Sequence, residues 1–340
     1  MKFLSAIISV VLFSGVPVPL NAANSGGQPD SACSKGSMPS IIPLRHRADV
    51  VEQWRLERLE TVVPALMRRE RVDSWLLVAG EYNEDPVVET MLPATWLTAR
   101  RRTILLFIDK GDEGMKRLAL SRYAVAGFES AWDPETQPDQ WEQLAAVLME
   151  HSPTRIAVNM AEHFPLADGL SASHWLALNR ALPAEMSGRM AGQKNLAIGW
   201  LEHRIPAEIV TYPVLSRITH ALISEAFSER VITPGVTTAD DIVWWLRQKV
   251  SDLGLETWFQ PSVAIQRSDG DQFSVQQMGH RGDTVIMPGD MLHTDFGISY
   301  LSLKTDVQRL AYVLRPGETD APSGLRDGLV AIPRERCCAG

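Results

Sequence analysis

The sequence predicts two domains in tandem, an α/β domain followed by an α+β domain. Three observations carry that reading. Short, continuously apolar runs at 74–79, 103–108 and 154–159 alternate with helical patterns, the signature of a largely buried sheet. From Ile205 onward two amphipathic helices come first and strands follow, the order of an α+β domain. Between them, Ala191-Gly192-Gln193 marks the boundary, and 340 residues suffice for two cores. The expected layout is a signal segment at 1–23, a leader at 24–40, an α/β domain at 41–192, a second domain at 193–329 and a divergent tail at 330–340.

The elements follow in order. Lys2 precedes an apolar run at 3–13 that is too short to span a bilayer, and Leu20-Asn21-Ala22-Ala23 offers small residues for cleavage. Export to a periplasm or the cell exterior follows, with no membrane association once the segment is removed. Asp30-Ser31-Ala32 before Cys33 lacks the apolar residue of a lipoprotein box. Cys33, Cys337 and Cys338 form neither a disulfide framework nor a zinc spacing. Leu56, Leu59, Val63, Leu66 and Met67 recur at helical spacing over 46–71, where Pro64 is expected to kink or divide the helix. The run 123–128 is a weaker strand candidate, and 137–150 and 171–181 read as helices. Arg100-Arg101-Arg102 could bind an anion; a solvated charge run before a strand is the favoured reading.

Ile205-Pro206-Ala207-Glu208 opens a helix with proline in its first turn, continued by Val214, Leu215, Ile218, Leu222 and Phe227 to about Arg230. Thr233-Pro234-Gly235 is a turn. Thr238-Ala239-Asp240-Asp241 starts a second helix as a hydroxyl cap followed by acids, and Gly254 stops it. The net charge of −8 argues against a nucleic-acid partner. No glycine-rich phosphate loop supports nucleotide binding.

The segment 287–316 reads as a β-hairpin with strands at 291–296 and 306–313. Asp295 and Asp306 stand eleven residues apart. With a turn centred on Tyr300-Leu301 the two carboxylates face each other directly, where like charges repel. A cation between them, a protonated carboxyl, another register or a solvated acidic face each accounts for the pair, and spacing alone leaves these open.

The string Gly289-Asp290, Asp295-Phe296-Gly297, Thr305-Asp306-Val307-Gln308-Arg309 resembles the metal-binding hairpin of the pita-bread metallopeptidases, among them aminopeptidase P, prolidase, creatinase and methionine aminopeptidase. Ile205-Pro206-Ala207-Glu208 and Val231-Ile232-Thr233-Pro234-Gly235 are similar to that family's helix start and Pro-Gly turn. The resemblance covers 205 to about 325, and the α/β domain by layout only. It implies a creatinase-like α/β domain and an incomplete pita-bread domain. It also implies two divalent metal ions (Mn, Zn or Co), Asp295 holding one and Asp306 bridging both. His280, fifteen residues before Asp295, is implied as the catalytic residue that steadies the oxyanion. His293, on the same strand face as Asp295, is a candidate partner of the metal shell, with strand packing the favoured reading.

The activity that the resemblance implies is release of an N-terminal residue preceding proline from a peptide substrate; homodimerisation is left open. The family's further ligands, a His and two Glu, are not recognisable after Asp306. The tail 330–340 has no helical periodicity, so a truncation or frame shift near Leu329 is expected, with an inactive polypeptide as its consequence. Whether this chain is itself an enzyme therefore stays open. The alternative is a non-catalytic remnant acting as a binding or dimerisation module.

Overall fold

The computed structural model describes residues 38–269, 272–275 and 284–331. His280, the cleavage region of the leader and all three cysteines lie outside the described residues.

Helix α1 (Leu44–Glu70) buries Leu59, Val62, Val63, Leu66 and Met67 along one face. Pro64 lies inside it, and the helix runs through as one element, so of the kink or division expected there the division does not occur. Proline removes one rung of the hydrogen-bond ladder, and burial of Val62, Val63, Leu66 and Met67 around it favours keeping the helix continuous. Next come β1 (Ser74–Gly80), α2 (Pro86–Met91), β2 (Arg102–Asp109), β3 (Met115–Leu120), β4 (Glu129–Ser130), α3 (Gln140–His151), β5 (Ile156–Val158), α4 (Ala172–Ala181), α5 (Ala184–Ser187) and β6 (Met190–Gly192). The six strands form one mixed sheet in the order β4-β3-β2-β1-β5-β6.

Alternation along the two central strands explains their apolar runs. Trp75, Leu77, Ala79, Leu105 and Phe107 enter one hydrophobic cluster. Leu76, Val78, Ile104, Leu106 and Ile108 enter a second cluster. A strand buried on both faces has no polar face to show. The candidate strand at 123–128 is instead turn and loop, and the strand lies earlier, at β3, paired antiparallel with β2. Lys116 and Arg117 interrupt the apolar signal of β3, so its pairing, not its composition, makes it a strand.

The second half comprises α6 (Lys194–Glu202), α7 (Pro206–Ile209), α8 (Tyr212–Ala226), α9 (Ala239–Asp252), β7 (Ser262–Asp269), β8 (Gln272–Val275), β9 (Met291–Phe296), β10 (Ser299–Tyr300), β11 (Leu303–Lys304), β12 (Val307–Tyr312) and α10 (Ser323–Ala331). The single helix expected from Ile205 to about Arg230 is divided into α7 and α8. Pro213, in the first turn of α8, has no N–H with which to carry the ladder on from Ile209. Helix α9 begins as expected: Thr238 Oγ1 accepts from Asp241 N at 3.1 Å, and Asp241 Oδ2 accepts from Thr238 N at 2.8 Å.

Glu208 ties this half to α1. Its carboxylate accepts from Arg58 Nη1 at 2.9 Å and from Ile205 N at 2.8 Å, and both charged side chains are buried. The Arg58 guanidinium also donates to the carbonyls of His203 and Trp200 and lies 4.4 Å from the Trp200 ring centroid. The Pro-x-Glu helix start is thus a structural anchor.

Strands β12-β9-β7-β8 form an antiparallel sheet. Leu292, Thr294 and Phe296 of β9 are buried, and Leu292 and Phe296 share a core with Leu215, Ile218 and Leu222 of α8 and Ile242 and Leu246 of α9. Met291, His293 and Asp295 occupy the opposite face of the strand. That second face carries the candidate site.

Candidate metal centre

The hairpin register differs from the expected one. Asp295 pairs with Gln308, not Asp306, and His293 pairs with Leu310. Between β9 and β12 an inner ladder pairs Ser299 with Lys304 and Tyr300 with Leu303. The turn is therefore Leu301-Ser302, one residue later than expected. Both residues have positive φ, 53° and 61°, as a two-residue type I′ hairpin turn requires. Neither residue type signals that conformation, so the sequence did not reveal it. Burial of Tyr300, Leu301 and Leu303 holds the turn in place.

Moving the turn by one residue moves the pairing by two and leaves each side chain on its face. Asp306, just before β12, thus lies diagonally across from Asp295 on the same face. The two carboxylates still interact. Burial pushes the Asp295 carboxyl above the usual carboxylate range, and the negative charge and hydrogen bond of Asp306 push it further, against weaker opposition from His293 and Gln308.

The surrounding backbone holds the pair in place. Thr305 Oγ1 is 2.8 Å from Thr219 Oγ1 on α8 and accepts from Ile298 N at 3.1 Å. The Thr305 carbonyl accepts from Trp258 Nε1 at 2.8 Å. Gly297 fits beneath this contact: a Cβ there would stand 2.0 Å from Thr305 O and 2.7 Å from Phe259 Cε1. The glycine of Asp-Phe-Gly is needed for close approach. Upstream, buried Asp290 accepts from Arg267 Nε and Nη2, both at 2.7 Å, and from Met287 N at 2.7 Å. The Gly-Asp element therefore anchors the start of β9.

His293 does not bond Asp295. Its Nε2 is 3.3 Å from Gln308 Oε1, and Gln308 Nε2 is 3.5 Å from Asp295 Oδ2. Gln308 was missed as a site residue because only the true register places it opposite Asp295. Arg309 turns away: Nη2 donates to His220 Nε2 of α8 at 3.0 Å. Burial and then the Arg309 charge hold the His220 imidazole below its usual pKa, consistent with that acceptor role.

The donors fit part of a divalent-ion shell. Asp295 Oδ1 is buried and has no hydrogen-bond partner, beside a second carboxylate. A buried acceptor left bare is costly, and a cation satisfies it together with the repulsion. Carboxylate oxygens suit hard and borderline divalent ions. Among the described residues no group of three or more His, Cys, Asp or Glu is placed to hold a metal. The two aspartates are the residues that would hold one.

No protein-family model matches this sequence, and no curated protein does. Solved structures do. An Xaa-Pro dipeptidase from Bacillus anthracis superposes with a TM-score of 0.52 at 18% identity over 81% of this chain and 68% of its own. An X-Pro aminopeptidase from Thermotoga maritima gives 0.51 and 18% over 76% of this chain and 67% of its own. A variant of Escherichia coli aminopeptidase P gives 0.50 and 14% over 81% of this chain and 63% of its own. The chain thus spans about two thirds of the length of these structures. No described helix is long and apolar enough to cross a membrane. At such identities the likeness speaks for architecture, and it agrees with the sheet order and the hairpin: the chain has the pita-bread fold of the Xaa-Pro dipeptidase and aminopeptidase P structures.

Proposed function

We propose that this chain carries metal-dependent peptidase chemistry of the aminopeptidase type, releasing an N-terminal residue that precedes proline. One observation carries the reading: Asp295 Oδ1 is buried without a partner next to a second carboxylate, and burial first and that carboxylate second raise the Asp295 pKa. The structures that share the fold are an Xaa-Pro dipeptidase and aminopeptidases, which supports the substrate class. Asp295 and Asp306 supply negative charge and oxygen ligands, and Thr305 and Gly297 fix the backbone that presents them. Mn²⁺, Zn²⁺ or Co²⁺ is the expected ion, two per site by family resemblance. A bound ion supplies Lewis acidity, polarising the scissile carbonyl and lowering the pKa of water. His280 is assigned to oxyanion stabilisation. Export is part of the same reading and rests on the leader sequence.

The donor count favours a second reading. With two carboxylates and no third ligand near them among the described residues, the site holds a cation weakly and the chain acts as a binding or dimerisation module through its α/β half. One experiment separates the two. The full chain is incubated with an Xaa-Pro peptide and MnCl₂ or ZnCl₂, and released amino acid is quantified. The peptidase reading expects metal-dependent release that is lost in Asp295→Ala and Asp306→Ala. Metal binding without release leaves the module reading and sinks the peptidase one.

A further inference from the structure

Thr305 has every polar atom engaged, although it lies between strands and not within one. Its N–H donates to Ile298 O at 3.0 Å, and its Oγ1 accepts from Ile298 N at 3.1 Å. Its carbonyl accepts from Trp258 Nε1 at 2.8 Å. Its Oγ1 lies 2.8 Å from Thr219 Oγ1 of α8, which in turn lies 3.0 Å from Leu215 O. A carbonyl only accepts, so the Thr219 hydroxyl donates to Leu215 O and the Thr305 hydroxyl donates to Thr219. Only this direction gives both hydroxyl hydrogens an acceptor among the described residues. Both threonines are buried, where an unmade hydrogen bond is costly. The next residue of α8, His220, accepts from Arg309 Nη2 at 3.0 Å. Helix α8 therefore grips the chain on both sides of Asp306.

We propose that Thr219 and Trp258 are positioning residues that set how well the Asp295–Asp306 pair holds a divalent ion. The inference rests on the metal-ligand reading above. Both side chains act through Thr305, one residue before Asp306, Thr219 from the core side and Trp258 from the half-exposed side. The Asp306 carboxyl hydrogen-bonds that of Asp295, so a shift of residue 305 moves one member of the pair against the other. A pair already held in place meets an ion without first being ordered, which favours binding. Removing a partner that supports a ligating group typically costs about 10–100-fold in metal affinity. These two act one residue away from the carboxylate, which points to the lower end of that range.

The test is calorimetric titration of the full chain with MnCl₂ at fixed pH, together with the visible absorption spectrum of the CoCl₂-loaded protein. Thr219→Val keeps the side-chain shape and removes the hydroxyl. It is expected to weaken Mn²⁺ binding about 10-fold and to shift the Co²⁺ bands. Thr219→Ser keeps the hydroxyl and should restore wild-type affinity and spectrum. Trp258→Phe keeps a ring and loses the donor, and should weaken binding as Thr219→Val does. Trp258 is 43% exposed, so this variant carries the test should Thr219→Val fail to fold. Val78→Ala, in the second hydrophobic cluster of the α/β half, lowers stability without reaching Thr305 and should bind Mn²⁺ like the wild type. Wild-type affinity and an unchanged Co²⁺ spectrum in folded Thr219→Val, or in Trp258→Phe, overturn the role assigned to that residue while leaving the metal site standing. Equal losses in Thr219→Ser or Val78→Ala trace the effect to general loosening and overturn the proposal as well. If the unmodified chain binds no Mn²⁺, or Asp295→Ala binds it equally well, the metal-ligand reading falls and this inference falls with it.

Discussion

Replacing Asp295 with asparagine should reverse its effect on stability according to whether metal is present. In the ion-free chain Asp295 is a liability: burial and the Asp306 charge both raise its pKa. The Asp306 carboxylate lies within hydrogen-bonding reach of Asp295. Two unit charges at about 4 Å repel by about 1 kcal/mol at a water-like dielectric and about 4 kcal/mol at an effective value of about 20. Asp306 is exposed, which favours the lower part of that range, on the order of 1 kcal/mol. Asp295→Asn removes the repulsion and keeps the shape. Its Tm without metal at pH 7 should therefore rise by about 2 °C.

The sign of the pH dependence follows from linkage. A carboxyl raised in the folded state binds more protons there than in the unfolded chain. Stability therefore falls as pH rises from the ordinary aspartate value, about 3.9, through the raised folded value. The advantage of Asp295→Asn should accordingly shrink as pH is lowered toward about 4 and grow toward neutrality. Saturating Mn²⁺ should invert the ranking. At about 100 times Kd a bound ion adds about 2.7 kcal/mol to the wild type and little to the variant. Differential scanning fluorimetry across pH, with EDTA or MnCl₂, reads all of this. A variant less stable than wild type in EDTA at pH 7, or one with the full Mn²⁺ shift, would refute the reasoning.

Two further substitutions test the frame that presents the site. Gly297→Ala places a Cβ 2.0 Å from Thr305 O, a backbone atom that cannot move aside cheaply. Urea denaturation should show a loss of about 3 kcal/mol, and an unchanged midpoint would mean the approach is looser than described. Glu208→Ala leaves the buried Arg58 charge without its carboxylate, and guanidinium denaturation should report a loss of about 3–5 kcal/mol. A loss below about 1 kcal/mol would show that the three-way anchor between α1, Trp200 and α7 is not holding the two halves.

Much of the architecture was legible because it is encoded locally. The apolar runs of β1 and β2 announce a sheet buried on both faces, and Trp75–Ala79 and Ile104–Ile108 are indeed divided between two clusters. Thr238 and Asp241 form the expected cap of α9. What failed to show depended on partners. Strand β3 is a strand because β2 pairs with it, although Lys116 and Arg117 hide the pattern. The helix after Ile205 breaks between Ile209 and Tyr212, just ahead of Pro213, whose missing N–H outweighs an uninterrupted apolar repeat. Glu208 looked like a helix-start acid, and its role as the counter-ion of Arg58 across the chain is invisible in either local sequence.

The candidate site divides along the same line. The sequence placed Asp295 and Asp306 on one strand face for a turn centred on Tyr300-Leu301, and because side-chain alternation has period two that placement survives the turn displaced by one residue. It also displayed Gly297 after Phe296 and Thr305 before the second carboxylate, whereas the need for glycine there came from the close approach of the Thr305 carbonyl. Only the tertiary structure decided that Asp295 faces Gln308, that His293 reaches it through that amide, and that Oδ1 is buried and bare. Those facts depend on the positive φ of Leu301 and Ser302. Such angles favour glycine or asparagine, and here burial of Leu301 and its neighbours imposes them instead.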